Sequence, residues 1–190
     1  MDWNRFNTYG ISSEKAFETL CCSLFEKYCR RIFKDNVVYF TRVNGDGGDG
    51  GIEAYTMLKS GEIIALQTKW FRNTFGDAQI TQMQRSLDTA VKIRSSITQY
   101  IVCIPRDLSS RKVVKGNKTT LKTQEQRWNE FIINNKSSYS NIEIILWNDQ
   151  RITEELTNID FQGLVHFWFE NVVIDESEMK DSFQKAVLSK

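Results

Sequence analysis

The 190-residue sequence predicts a single α/β domain in which helices flank a mixed central sheet. Three observations support this fold class. Apolar residues recur at helical spacing from Ser13 to about Phe33, two β-rich runs flank the turn Lys59-Ser60-Gly61, and strands alternate with helices in the second half. The alternation of strands and helices in the second half indicates an α/β sandwich with a mixed sheet.

The pattern gives the element order α-β-β-β-α-β. Ser12 or Ser13 can cap the first helix, and β-branched and aromatic residues dominate the first strand. The predicted elements are a helix at Ser13 to Phe33, strands at Val37 to Arg42, Ile52 to Leu58 and Glu62 to Trp70, a helix at Asp77 to Ile93 and a strand at Tyr100 to Ile104. A helix at Glu125 to Ile133, a strand at Ile142 to Trp147 and short helices follow.

Composition restricts the cellular setting of the protein. The formal net charge is +1, so contact with nucleic acid has to come from local clusters of Lys and Arg. The four cysteines lie in apolar runs without a zinc-binding spacing, which indicates buried, reduced thiols. No signal peptide or run of about 18 apolar residues is present, so we expect a cytoplasmic protein without a membrane span.

The hairpin turn determines which polar side chains come together. In a three-residue loop with Gly61 in the left-handed conformation, Leu58 pairs with Glu62 and Glu53 faces Gln67. A two-residue Ser-Gly loop would place Glu53 opposite Thr68 instead. In the first register, Glu53, Gln67 and Lys69 converge on one face of the hairpin.

This set of side chains suits phosphodiester hydrolysis with a hard cation. Mg²⁺ takes one or two carboxylates and fills its other positions with water and phosphate oxygens. A lysine beside it can orient water and stabilise charge on the phosphate. Asp49, four residues before Glu53 among glycines, or Glu18, beside the apolar stripe of the first helix, could supply a second carboxylate. Taken alone, the glycine-rich segment Gly45 to Gly51 would indicate a surface loop, and Glu18 would indicate a solvated helix residue.

These motifs resemble the Mrr-like branch of the PD-(D/E)xK nucleases over about Ser13 to Pro105. The residues that carry the resemblance are Phe17-Glu18, the segment Gly45-Asp46-Gly47-Gly48-Asp49-Gly50-Gly51-Ile52-Glu53-Ala54 and the triplet Gln67-Thr68-Lys69. The resemblance implies a restriction-endonuclease-like core that uses Mg²⁺ or Mn²⁺, with the family's metal-binding aspartate at Glu53, its variant glutamine at Gln67, its lysine at Lys69 and its helical glutamate at Glu18. Asp49 remains a further catalytic and metal-binding candidate from its position in the sequence. Glutamate stands where the family has a metal-binding aspartate, so either Glu53 or Asp49 is the principal ligand.

A second resemblance concerns the protein context. A nuclease of this type followed by Gly163-Leu164-Val165-His166-Phe167-Trp168-Phe169 is similar to the N-terminal effector of antiphage STAND ATPases of the Avs kind. That resemblance implies a downstream ATPase and sensor and activation as a homo-oligomer. The sequence itself has no P-loop, so we expect an isolated effector, with a nuclease domain at residues 1–174 and a C-terminal helical extension or linker at 175–190.

A basic stretch provides candidate DNA contacts. Between Arg106 and Lys122 there are six basic residues and one acid, which suits either phosphate contacts or a solvated loop. The candidate contacts are Arg111, Lys112, Lys115 and Lys118. Trp70 and Phe71 could stack on bases or pack in the core.

The leading functional prediction is an endonuclease that cuts double-stranded DNA with little sequence preference. The alternative is a catalytically silent DNA-binding or oligomerisation module, because Glu53 and Gln67 both replace more common acids.

Overall fold

The computed structural model describes residues 1–43, 50–111, 122–170 and 180, with the backbone alone at 114–115, 118–119 and 159. The helices are α1 (Ser13–Phe33), α2 (Asp77–Ile93), α3 (Gln124–Ser138), α4 (Asp149–Leu156) and α5 (Gln162–Phe169). The strands are β1 (Val37–Arg42), β2 (Ala54–Leu58), β3 (Ile63–Thr68), β4 (Ile97–Cys103), β5 (Val114–Lys115), β6 (Lys118–Thr119) and β7 (Glu143–Trp147).

Five strands form the central sheet in the order β1-β2-β3-β4-β7. The pairs β1–β2 and β2–β3 are antiparallel, whereas β3–β4 and β4–β7 are parallel. The sheet is therefore mixed and flanked by helices, which confirms the predicted fold class. The strands β5 and β6 form a separate antiparallel pair within the predicted basic stretch.

Most element boundaries lie within two residues of the sequence pattern, but α3 extends to Ser138, five residues beyond the predicted end at Ile133. The bounds of α1, β1 and α2 are as predicted, and the Ser12 hydroxyl caps α1 by accepting from the Lys15 N–H at 3.2 Å. Strand β4 starts three residues earlier than expected, because Ile97 pairs with Ile63 and is fully buried. The predicted C-terminal segment, 175–190, lies outside the described residues apart from Lys180.

The hairpin adopts the register predicted for a three-residue loop. Gly61 has φ +86°, and the Leu58 N–H donates to the Glu62 carbonyl at 2.9 Å. The ladder ends where Ala54 pairs with Leu66, so the same register places Glu53 opposite Gln67. The two-residue loop is therefore wrong.

The sheet separates two apolar cores, because successive side chains of a strand point to opposite faces. On one face, α1 packs on Ala54, Ile64 and Leu66. On the other, Ala65 and Tyr100 join the buried residues of α2 and α3. The four cysteines are buried and unpaired, as predicted.

The N-terminal segment and α5 pack together beside α1. The Asn7 N–H donates to the Trp168 carbonyl at 2.8 Å, and Trp3 makes edge contacts with Phe17 and Phe169. Nearby, the buried Glu155 of α4 accepts from Arg31 of α1 and pairs with Arg151. Among the described helices, none is long and apolar enough to cross a membrane.

Candidate functional site

A cavity of about 360 Å³ opens at the C-terminal end of β3, where the first turns of α1 and the middle of α2 approach the sheet. We call it the β3 cavity. Its lining consists of Glu14, Glu18, Glu53, Thr68, Lys69, Trp70, Phe71 and Gln82. Three carboxylates and one lysine therefore face the same space.

Glu53 stands just before β2 and is only 7% exposed. One carboxylate oxygen, Oε2, accepts from the Thr68 N–H at 2.8 Å. The backbone is fixed on both sides, because the Glu53 N–H donates to the Leu66 carbonyl at 2.9 Å and the Val43 N–H donates to the Glu53 carbonyl at 2.8 Å. The carboxylate is thus held against the end of β3 by its neighbouring strands.

Lys69 is the first residue after β3, and its side chain is half-buried. Its N–H donates to the Cys103 carbonyl at 2.9 Å, which continues the β3–β4 pairing by one residue. Strand pairing therefore sets where the lysine leaves the sheet. Lys69 lines the β3 cavity together with Glu53.

Gln67 is placed differently from the other two members of the predicted patch. Its side chain is completely buried and is not part of the lining of the β3 cavity. The amide Nε2 donates to the Gly51 carbonyl at 3.3 Å, while the amide oxygen Oε1 is buried and has no hydrogen-bond partner among the residues that the structure describes.

Glu18 reaches the β3 cavity from α1, as expected of a helix residue beside the apolar stripe. It is half-buried, and its Oε1 pairs with the Lys15 Nζ at 2.7 Å. Glu14, one turn earlier on α1, also lines the cavity but was not among the predicted site residues. Its spacing of four residues from Glu18 was the available signal, since residues i and i+4 share a helix face.

Several predicted site residues fall elsewhere. Asp49 lies outside the described residues, as do the side chains of Lys112, Lys115 and Lys118. Arg111 is exposed and lines a second cavity, of about 610 Å³, near the starts of α2 and α3. Lys122 and Arg127 also line that cavity, although Arg127 is paired with Asp77 at 2.8 Å.

The aromatic residues after Lys69 have a packing role. Trp70 contacts Trp3, Phe6 and Phe17, with ring centroids 5.3–5.9 Å apart. Phe71 makes an edge contact with Phe75. Both side chains remain half-buried and form one wall of the β3 cavity.

A buried thiol lies directly behind the site. The Cys22 Sγ donates to the Glu53 carbonyl at 3.9 Å. Burial raises the pKa of Cys22 to about 12, with the nearby Glu53 acting in the same direction. Cys22 is thus a neutral packing residue and not a nucleophile at ordinary pH.

The described residues contain no group of three or more His, Cys, Asp or Glu side chains arranged to hold a metal ion. Glu14, Glu18 and Glu53 line one cavity without converging on a single point. Of the carboxylates that the sequence predicts as metal ligands, the structure describes Glu53 and Glu18.

Comparison with known proteins agrees with the predicted class. Residues 13–102 match the family model Mrr_cat, described as restriction endonuclease. This range includes Glu18, Glu53, Gln67 and Lys69. No curated protein matches the chain.

One similar solved structure is the crystal structure of a repair endonuclease from Pyrococcus abyssi, with 14% identity and a TM-score of 0.38. The similarity covers 73% of this chain and 49% of that one, so this chain spans about half the length of that protein. The mixed, helix-flanked sheet and the match over residues 13–102 are consistent with a restriction-endonuclease-like α/β fold.

Proposed function

We propose that the protein is a metal-dependent endonuclease that hydrolyses the phosphodiester bonds of double-stranded DNA with little sequence specificity. The observation that carries this proposal is the β3 cavity, which Glu53 and Lys69 both line. The restriction endonuclease match over residues 13–102 supports the same reaction class.

The donor chemistry of the cavity fits a divalent hard cation. Glu53 and Glu18 offer carboxylate oxygens, which Mg²⁺ and Mn²⁺ accept together with water and phosphate oxygens. Asp49 is the further ligand proposed from the sequence, and Gln67 remains a sequence-based candidate. The bound ion would lower the pKa of a water molecule and neutralise charge on the phosphate.

The chain's own residues would position and stabilise the reacting groups. Lys69 leaves the sheet at a point fixed by the Cys103 carbonyl, so its ammonium group can stabilise charge that develops on the phosphate as water attacks phosphorus. Glu53 is held by the Thr68 N–H, which limits the movement of its carboxylate. Preorganised charges of this kind act mainly on the transition state.

DNA binding is proposed to use the basic stretch between Arg106 and Lys122. Arg111, Lys112, Lys115 and Lys118 are candidate phosphate contacts. Because phosphates carry no base information, such contacts favour binding to duplexes of unrelated sequence. Low sequence specificity follows from this proposal.

The biological setting is also a proposal. The resemblance to the effectors of antiphage STAND ATPases suggests a cytoplasmic defence nuclease that is activated by oligomerisation and works with ATPase and sensor modules. Sequencing the gene beyond the codon for Lys190 would test this context, because a downstream P-loop module would support it and an unrelated module would contradict it.

A plasmid assay tests the proposed activity. Supercoiled DNA is incubated with the protein and Mg²⁺, Mn²⁺ or EDTA, and two plasmids of unrelated sequence are compared. We expect nicked and linear products with either ion, similar rates on both plasmids and no products with EDTA. If cleavage requires an oligomer, the assay is repeated with protein that has been oligomerised by chemical crosslinking. DNA binding without cleavage in all these samples would instead support the catalytically silent module.

A further inference from the structure

The backbone at Gly51 lies unusually close to helix α2. Gly51 has φ +80°, and a Cβ atom at this position would lie 1.9 Å from the Ser86 carbonyl oxygen. No other residue type fits there without moving backbone. The backbone at Gly51, two residues before Glu53, is therefore packed directly against α2 and leaves no room for a side chain.

Two buried side chains hold the Gly51 carbonyl at this point. The Tyr100 hydroxyl donates to it at 2.8 Å, and the Gln67 Nε2 donates to it at 3.3 Å. Tyr100 and Gln67 are fully buried and lie on the same face of the neighbouring strands β4 and β3, since Ala65 pairs with Tyr100 and Gln67 pairs with Val102.

The next residue of β3 holds the carboxylate. Thr68 donates its N–H to Glu53, so consecutive residues of one strand fix both ends of the short segment Gly51–Glu53. Ile52, between them, is fully buried. The position of the Glu53 carboxylate thus depends on contacts at Gly51 as well as on its own hydrogen bond.

We propose that Gln67 is a positioning residue whose amide N–H holds the Gly51 carbonyl and thereby fixes the carboxylate of Glu53 at the β3 cavity. The proposal rests on the proposed nuclease function for its catalytic consequence, but the contact itself can be tested without activity. It gives Gln67 the role of a donor, whereas the sequence suggested a metal ligand through Oε1.

The two roles predict opposite outcomes for Gln67→Glu. A carboxylate would be a stronger metal ligand than an amide oxygen. An ionised carboxylate, however, cannot donate to the Gly51 carbonyl, and no described residue donates a hydrogen bond at the buried position of Oε1. Only the protonated carboxyl group would reproduce the donor of glutamine.

The first experiment measures thermal stability of Q67E, Q67M and the wild type from pH 8 to pH 5, without metal or DNA. We expect the Tm deficit of Q67E to shrink as pH falls, since the neutral carboxyl can donate to Gly51, and the Q67M deficit to stay constant. Q67M controls for titration of Glu53, Lys69 and Tyr100, which these variants share. A Q67E deficit that does not change with pH would overturn the proposal.

Q126E is a matched control for the substitution itself. The Gln126 side chain accepts from the Thr123 N–H at 2.9 Å, so a carboxylate can replace it at the start of α3. We expect no loss of stability at pH 8. A loss as large as that of Q67E would show that any glutamate is harmful and would contradict the donor role.

The second experiment measures plasmid cleavage at saturating Mn²⁺, relative to the wild type at each pH. At pH 8, Q67E should cleave at least about tenfold more slowly than the wild type, which corresponds to about 1.4 kcal/mol of activation free energy. At pH 6, its rate should lie within about threefold of the wild-type rate. Wild-type cleavage by Q67E at pH 8, with tighter Mn²⁺ binding, would support the ligand role instead.

A double-mutant cycle covers the case in which Q67E does not fold at pH 8. Gln67 and Tyr100 donate to the same acceptor, the Gly51 carbonyl. The loss of cleavage rate caused by Q67M should therefore differ by about threefold or more between the wild-type and Y100F backgrounds. Strict additivity would overturn the proposal. If the wild type cuts no DNA with any ion, the nuclease function fails, and the Tm series still decides the role of Gln67.

Discussion

The Glu53 carboxylate accepts a hydrogen bond from the Thr68 N–H at 2.8 Å, immediately before Lys69 in the chain. One side chain of the proposed site is therefore hydrogen-bonded to the last residue of β3, and the other belongs to the residue that follows it. Hydrogen bonds to a charged acceptor typically contribute about 1.5–3 kcal/mol, so this contact is strong enough to define the orientation of the carboxylate.

Glu53→Gln should weaken Mn²⁺ binding by about tenfold or more, because it removes negative charge from the proposed first coordination sphere while keeping the side-chain length. Asp49→Asn should have a smaller effect if Glu53 is the principal ligand. Calorimetric titration of both variants ranks them. The reverse order would make Asp49 the main ligand.

Lys69→Ala should lower plasmid cleavage by more than about tenfold and leave the circular dichroism spectrum unchanged, since the proposed role of the ammonium group is in the transition state. Lys59→Ala is the control, because this exposed lysine lies at the turn of the same hairpin. Wild-type cutting by the Lys69 variant would remove this residue from the mechanism.

The sequence predicted the fold well because its signals are local. The apolar period of α1, the turn glycine Gly61 and the β-branched runs each depend on neighbouring residues, and the structure confirms the elements that they indicate. Hairpin register followed from loop length for the same reason. The start of β4 was missed because Ile97 is recruited by Ile63, a contact between distant parts of the chain.

The site was harder to predict, since a cavity depends on how separate elements pack. Alternation on β3 predicts that Gln67 shares a face with Lys69, but it cannot show that Gln67 turns toward Gly51 and Tyr100 and stays out of the β3 cavity. Likewise, Glu14 and Gln82 line the β3 cavity because α1 and α2, on opposite faces of the sheet, both border its open end. These side chains looked like ordinary helix surface in the sequence.

Thiol reactivity should be suppressed in the native protein. Burial raises the pKa of both Cys22 and Cys29 to about 12, so their reactive thiolates are nearly absent at pH 8 and increase only as pH approaches 12. We expect negligible labelling by a thiol reagent at pH 8 without denaturant and labelling of all four cysteines in urea. Rapid native labelling of Cys22 would contradict this burial.

Replacing Lys112, Lys115 and Lys118 with glutamine should weaken binding to unrelated duplexes to a similar extent. The salt dependence of binding should flatten by roughly one unit of slope for each lysine that had neutralised a phosphate. Anisotropy across a salt series measures both effects. A variant with glutamine at Lys34, Lys59 and Lys136 has the same net charge and should keep the wild-type slope. Equal slopes for both triple variants would indicate that the basic stretch is a solvated loop without phosphate contacts.

Gly51→Ala should destabilise the fold by about 3 kcal/mol or more, because the added Cβ would collide with the Ser86 carbonyl in addition to adopting positive φ. Gly61→Ala is a matched control, since Gly61 has φ +86° but nothing within 4 Å of an added Cβ. It should lose only about 1–2 kcal/mol, the cost of the left-handed conformation alone. Urea denaturation measures both variants. Equal losses would show that the backbone at Gly51 can withdraw from α2, and the proposed positioning of Glu53 through that glycine would then lose its structural basis.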